Sequence, residues 1–133
     1  MELAFRAVLL AWLATDATLS AGLNAICEEA PLRKALPWLA LTASASASAD
    51  WSTKSGPGRE IRVALELNYR GDDPLAESAL IGAIERRVMN VPADQTAAGF
   101  QIANLLFLRA RSEQRGEALR ALVLEYRARV VGV

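Results

Sequence analysis

The chain has 133 residues, balances 15 Lys and Arg against 15 Asp and Glu, and carries no histidine and a single cysteine. Lack of histidine excludes Ser-His-Asp and Cys-His triads and His-ligated zinc, and one cysteine excludes an internal disulfide and multi-cysteine structural zinc sites. A formal charge of zero makes the chain as a whole a poor polyanion binder, because affinity for nucleic acid comes largely from Lys and Arg neutralising phosphates.

Residues 2–15 read as a helix, with Leu3, Ala7, Leu10 and Ala14 as its stripe and Phe5, Val8, Leu9, Trp12 and Leu13 widening the apolar face. A helix this apolar is expected to be covered on most sides. Its apolar run at 7–14 falls far short of the ~20 residues of a membrane span. Glu2 beside Arg6 removes the basic start of a secretory signal, so the expectation is a buried first helix and no membrane partner. Asp16 is placed to cap a short second turn that ends at Gly22, and residues 24–28 read as a short strand. Residues 31–37, bounded by prolines, form a connector.

Residues 38–51 alternate almost strictly. Leu39, Leu41, Ala43, Ala45, Ala47, Ala49 and Trp51 fall in one phase, against Trp38, Ala40, Thr42, Ser44, Ser46, Ser48 and Asp50 in the other. This is the pattern of a strand with one apolar face, whose small side chains let a helix or another subunit approach closely. Residues 52–58 are turn-forming. Residues 60–70 alternate again: Ile61, Val63, Leu65, Leu67 and Tyr69 against Glu60, Arg62, Ala64, Glu66, Asn68 and Arg70. The two strands make a long antiparallel hairpin.

Gly71-Asp72-Asp73-Pro74 opens a second main helix, with Asp73 as N-cap, Pro74 in the first helical position and Leu80, Ile81, Ile84 and Val88 as its core stripe. Residues 90–99 read as a loop. Residues 100–111 and 118–131 give two more strands; in the last, Leu122, Leu124, Tyr126, Ala128 and Val130 oppose Glu125, Arg127 and Arg129. The whole predicts a single α+β domain over residues 1–133. Its antiparallel sheet has about four strands in two hairpins, with two main helices packed on one face.

Catalytic constellations are scarce. The acid pairs Glu28-Glu29 and Asp72-Asp73 have no second cluster at ligand spacing, so no metal, cofactor or catalytic residue is assigned and the chain reads as a non-enzyme. Gly56-Pro57-Gly58 is followed by a strand, which makes it a hairpin tip and not a phosphate cradle. Cys27, beside two carboxylates and with no histidine base in the chain, reads as an inert thiol suited to a reducing compartment. What remains is the polar sheet face. The cations are 13 Arg to 2 Lys, and arginine is enriched in interfaces where lysine is depleted. Mixed signs on neighbouring strands predict cross-strand ion pairs, and long hairpins with open edges invite subunit pairing.

Three stretches carry a family resemblance. They are residues 37–60 with their Asp50-Trp51-Ser52-Thr53-Lys54 turn approach, the helix opening at 71–77, and residues 99–111 followed by 122–129. In these the chain resembles the small phage tail-terminator (tail-completion) proteins, in particular those of the gene transfer agents of alphaproteobacteria. The resemblance implies a structural virion protein, assembled in the bacterial cytoplasm, that forms a hexameric ring on the head-proximal end of the tail tube. The ring would stop tube polymerisation, contact the tail-tube protein, and join the tail to the head-tail connector or stopper protein. DNA would pass through its channel without specific binding. It assigns contact roles to Trp51, Lys54 and Arg59 around the first hairpin turn. Arg62, Glu66, Arg109, Arg111, Glu125, Arg127 and Arg129 become candidates for a subunit interface or channel lining.

Two other readings stay open on the residues. A stopper or tail-tube subunit has similar size and fold, and electron microscopy separates one ring at the tail top from many along the tube. A small nucleic-acid-binding module is kept alive by six Arg against three Glu from Gly99 onward, though exposed aromatics for base stacking are not interleaved with them. On the ring reading, reversing Arg127 or Arg129 should weaken assembly more than monomer folding.

Overall fold

A computed structural model describes residues 1–53, 56–73 and 75–133, and the side chains at 49–53, 56 and 57 lie outside that description. The elements in chain order are α1 (Glu2–Ala14), α2 (Ala17–Gly22), β1 (Ala25–Cys27), β2 (Trp38–Thr53), β3 (Gly56–Arg70), α3 (Ser78–Met89), β4 (Asp94–Gln95), a 3-10 turn (Thr96–Ala98), β5 (Phe100–Gly116) and β6 (Leu119–Gly132). One sheet contains all the strands in the order β1-β2-β3-β6-β5-β4. The four long strands are mutually antiparallel, while β1 runs parallel to the start of β2. The α+β class and both hairpins agree with the sequence. The sheet has six strands instead of about four, because β1 and β4 extend it at its two ends, and a third helix, α2, joins the two main ones.

The core lies on one face of the sheet. Ile61, Val63, Leu65 and Leu67 of β3 and Leu124, Tyr126, Ala128 and Val130 of β6 meet Phe5, Leu9 and Leu13 of α1 and Leu80, Ile84 and Val88 of α3. The alternation read in β3 and β6 therefore places the expected residues inside. In α1 the buried stripe is Phe5, Leu9 and Leu13, rotated from the expected one, and Leu3 is 73% exposed. The helix is apolar nearly all round, so its sequence does not mark which side meets the sheet; only one side is covered.

α1 and α3 are locked by reciprocal polar contacts. Trp12 Nε1 donates to the Arg87 carbonyl at 2.7 Å, and Arg87 Nε donates to the Trp12 carbonyl at 2.9 Å. The Arg87 guanidinium also lies 3.3 Å from the Trp12 ring centroid, a cation–π contact. Asp16 caps α2 as expected, accepting from the Leu19 backbone N–H at 3.0 Å. α3 departs from expectation. Asp73 accepts from the Leu75 N–H at 2.9 Å, but this closes a turn, and the helix starts at Ser78 behind Glu77. Pro74, expected in the first helical position, lies outside the described residues. The stretch read as a loop at 90–99 contains β4, which pairs with Phe100 and Gln101.

The Ala/Ser strand differs most. A bulge between Leu41 and Ala43 shifts the register of β2 against β3. Before it, Leu39 and Leu41 face the core; after it, the phase reverses. Ser44 then pairs with Val63 and its hydroxyl donates to Glu2 Oε2 of α1 at 2.7 Å, while Ala43 and Ala45 lie opposite Ala64 and Arg62 on the other face. The strand thus has no single apolar face along its length. Its small side chains do admit the start of α1, as expected of them.

Candidate assembly surfaces

The sheet face away from the helices carries most of the residues singled out from sequence. Cross-strand register aligns Ala43, Ala64, Glu125 and Arg109 in one row across β2, β3, β6 and β5, and Ala45, Arg62, Arg127 and Leu106 in the next. Opposite charges on adjacent strands pair, as the mixed signs predicted. Arg109 of β5 pairs with Glu125 of β6, and Glu60 of β3 lies 3.4 Å from Arg127 of β6 and, within its own strand, 3.7 Å from Arg62. The Arg109 hydrogen bond holds the Glu125 carboxyl below its ordinary range.

Glu66 corrects the picture of a solvated face. It is 7% exposed, accepts from Arg115 Nη2 at 2.6 Å on one oxygen and from Asn68 Nδ2 at 2.9 Å on the other. Arg115 sits on β5, and β6 lies between it and β3. In register, buried Ala40 lies opposite Glu66 on β2 and buried Ala121 opposite Asn68 on β6, small side chains that leave room for this contact. Arg115 also binds Glu113, which pairs with Arg111, so a chain of charges runs from the end of β5 into the sheet. Hydrogen bonds to Glu66, and then to Glu113, push the Arg115 guanidinium further toward its charged form. Sequence reading missed Arg115 because the expected strand ends at residue 111; the strand continues through Gly116.

The remaining candidates divide. Arg59 is exposed and donates to the Ser46 hydroxyl at 3.3 Å. Arg129 is half-buried opposite Glu60 in register. Trp51 lies on β2 with its side chain outside the described part, and Lys54 lies outside the described residues. Arg127 is 23% exposed and ion-paired, so its reversal would set a carboxylate against Glu60 and disturb the monomer as well as any interface. It does not separate the two effects as expected.

A groove of about 540 Å³ crosses the polar face, lined among others by Ala43, Ala45, Ala64, Arg62, Arg109 and Glu125. Among the described residues no cluster of three or more Cys, Asp or Glu is arranged to hold a metal ion. Cys27 is half-buried, and burial pushes its thiol up while Sγ donates to the Glu29 carbonyl at 3.0 Å. No helix among the described residues is long and apolar enough to cross a membrane.

The sheet also ends in two long edges. β1 covers β2 only at Trp38, Leu39 and Ala40, and β4 covers β5 only at Phe100 and Gln101, with one further bond from Ile102 N–H to the Ala93 carbonyl. Beyond those points neither edge has a partner strand among the described residues. On the β5 side Leu106, Phe107 and Leu108 are exposed, at 38%, 46% and 40%. The sequence reading of residues 100–111 as a strand did not single them out as a surface feature.

A curled sheet backed by helices, with ion-paired arginines on its open face and two long free edges, has the character of a subunit of a larger structural assembly. The chain belongs to the family of tail completion protein gp17, whose family model matches residues 7–131. It is therefore a structural protein of a phage-type tail and a component of the particle. Among curated proteins none matches. Among solved structures the fold is similar to that of a chain in the virion of a native gene transfer agent particle. That match has 23% identity and a TM-score of 0.68, and covers 96% of this chain and 94% of the other.

Proposed function

We propose that the protein closes the head-proximal end of a phage-like tail tube in a particle of the gene transfer agent type. Copies form a six-fold ring that ends tube polymerisation, contacts the tail-tube protein on one side and meets the head-tail connector or stopper protein on the other. DNA crosses the ring without being held. The observation that carries this reading is the family match over residues 7–131, nearly the whole of the sequence. The likeness in fold to a chain of a gene transfer agent virion supports the type of particle. The open face supports passage of DNA: its arginines at 109 and 127 are neutralised by Glu125 and Glu60, so few cations are left to release counterions from a duplex.

The test is native mass and electron microscopy of the purified chain, alone and mixed with tail-tube protein. One ring capping each tube is the expected result. Rings stacked along the tube would make it a tube subunit, and a strict monomer in both conditions would overturn the reading. Binding to duplex DNA at low salt should be weak, and tight binding would argue for a nucleic-acid module instead.

A further inference from the structure

We infer that copies of this chain join edge to edge, β5 of one protomer pairing with β2 of the next, so that a single sheet runs through the assembly. The inference rests on the ring reading above and adds to it the strands that meet, their sense and their chemistry.

Strand sense comes first. β2, β3, β6 and β5 are adjacent and antiparallel, so β5 runs opposite to β2. Rotation about a ring axis leaves each strand's sense along that axis unchanged. A junction between β5 and the next copy's β2 is then antiparallel, like every junction of long strands within the protomer. An odd number of long strands would have broken the alternation.

The edges also match in extent and differ in character. β2 is uncovered from Leu41 to its end at Thr53, and β5 from Ala103 to its end at Gly116. The β5 edge bears Leu106, Phe107 and Leu108, exposed large side chains. The β2 edge bears Ala43, Ala45, Ser46, Ala47 and Ser48, against which large side chains can lie close. Charge follows the same division. The uncovered part of β5 has Arg109, Arg111 and Arg115 against Glu113, whereas that of β2 has Asp50 as its sole charged residue. Two β5 edges would therefore repel, and two β2 edges would bury little apolar surface. Neither uncovered edge carries a proline or a lysine, the residues that commonly block such pairing. A pairing of unlike patches propagates head to tail and closes into a ring when the rotation allows.

Cysteine cross-linking in a Cys27→Ala background tests it. Ala43→Cys, Ala45→Cys or Ala47→Cys on β2 is combined with Leu106→Cys, Leu108→Cys or Ala110→Cys on β5, one from each strand, and oxidised after assembly. A disulfide forms only where Cα atoms lie within roughly 7 Å. At least one pair should give a ladder of covalent multimers, while each single variant gives none. Single β5 variants that form covalent dimers would overturn the inference in favour of a symmetric β5–β5 contact. Rings seen by native mass with no ladder from any pair would overturn it while leaving the ring reading intact. Absence of any multimer in the unmodified chain, with or without tail-tube protein, would remove both. As a second measurement, Leu108→Lys and Ala45→Lys should each raise the concentration for half-assembly at least tenfold with an unchanged circular dichroism spectrum. Normal assembly of both would overturn the inference.

Discussion

The two faces of the sheet are built by different physics. The helix side buries Leu65, Leu67, Tyr126 and Val130 against Phe5, Leu9 and Ile84, all at 1% exposure or less, and its contribution is hydrophobic burial. The open side carries small alanines and arginine–carboxylate pairs, the latter contributing little to stability when exposed. One face therefore sets the fold, and the other is left adjustable for partners.

Breaking the covered face should cost most. Leu65→Ala removes a fully buried core side chain from the central strand β3 and should lower unfolding free energy by about 2–5 kcal/mol, read from urea denaturation. On the open face the largest effect belongs to Glu66, the one buried carboxylate among the described residues. Glu66→Ala leaves the Asn68 amide without its acceptor and frees Arg115 to hydrate, for a loss of about 1–3 kcal/mol in the same assay. A loss as large as that of Leu65→Ala would mean that the open face also sets the fold. Trp12→Phe removes one hydrogen bond from the α1–α3 lock and should cost about 1 kcal/mol. Arg109→Ala, on an exposed pair, should leave the melting temperature unchanged and act on assembly, measured by native mass.

The smallest effect concerns pH. The Ser44 hydroxyl, ahead of weaker influences, holds the Glu2 carboxyl below its usual range. A carboxyl lowered in the folded state contributes stability above its unfolded pKa and loses it as pH falls through the folded value. Ser44→Ala should therefore melt slightly below the parent at neutral pH, and the two curves should converge in acid. A gap that persists at the lowest pH would show that the hydroxyl acts by packing alone.

These faces were unequally legible in the sequence. β3 and β6 are half-buried with charged residues on the open phase, so period-two alternation identified both their strands and their inner sides. β2 alternates just as regularly, yet Ala and Ser differ too little in polarity to reveal the bulge after Leu41. α1 misled for a related reason, being apolar on the side that solvent reaches. Asp73 does cap the backbone two residues on, but the turn it closes precedes the helix. Two-residue β4 leaves no periodic trace at all. At the candidate site, Arg109 with Glu125 followed from charge pattern, whereas Arg115 with Glu66 depends on a curl that joins residues 49 apart.

The strand order carries a consequence for synthesis. β6, the last of the described strands in chain order, lies between β3 and β5 at the centre of the sheet. Until β6 has left the ribosome, the β2–β3 hairpin and β5 cannot belong to one sheet, and earlier still α1 waits for α3, whose contact with it lies 75 residues away. A chain cut short before residue 119 would have both outer edges and nothing to join them. Synthesis of β6 thus acts as a checkpoint, and only copies that include it can hold β2 and β5 at the two ends of one sheet.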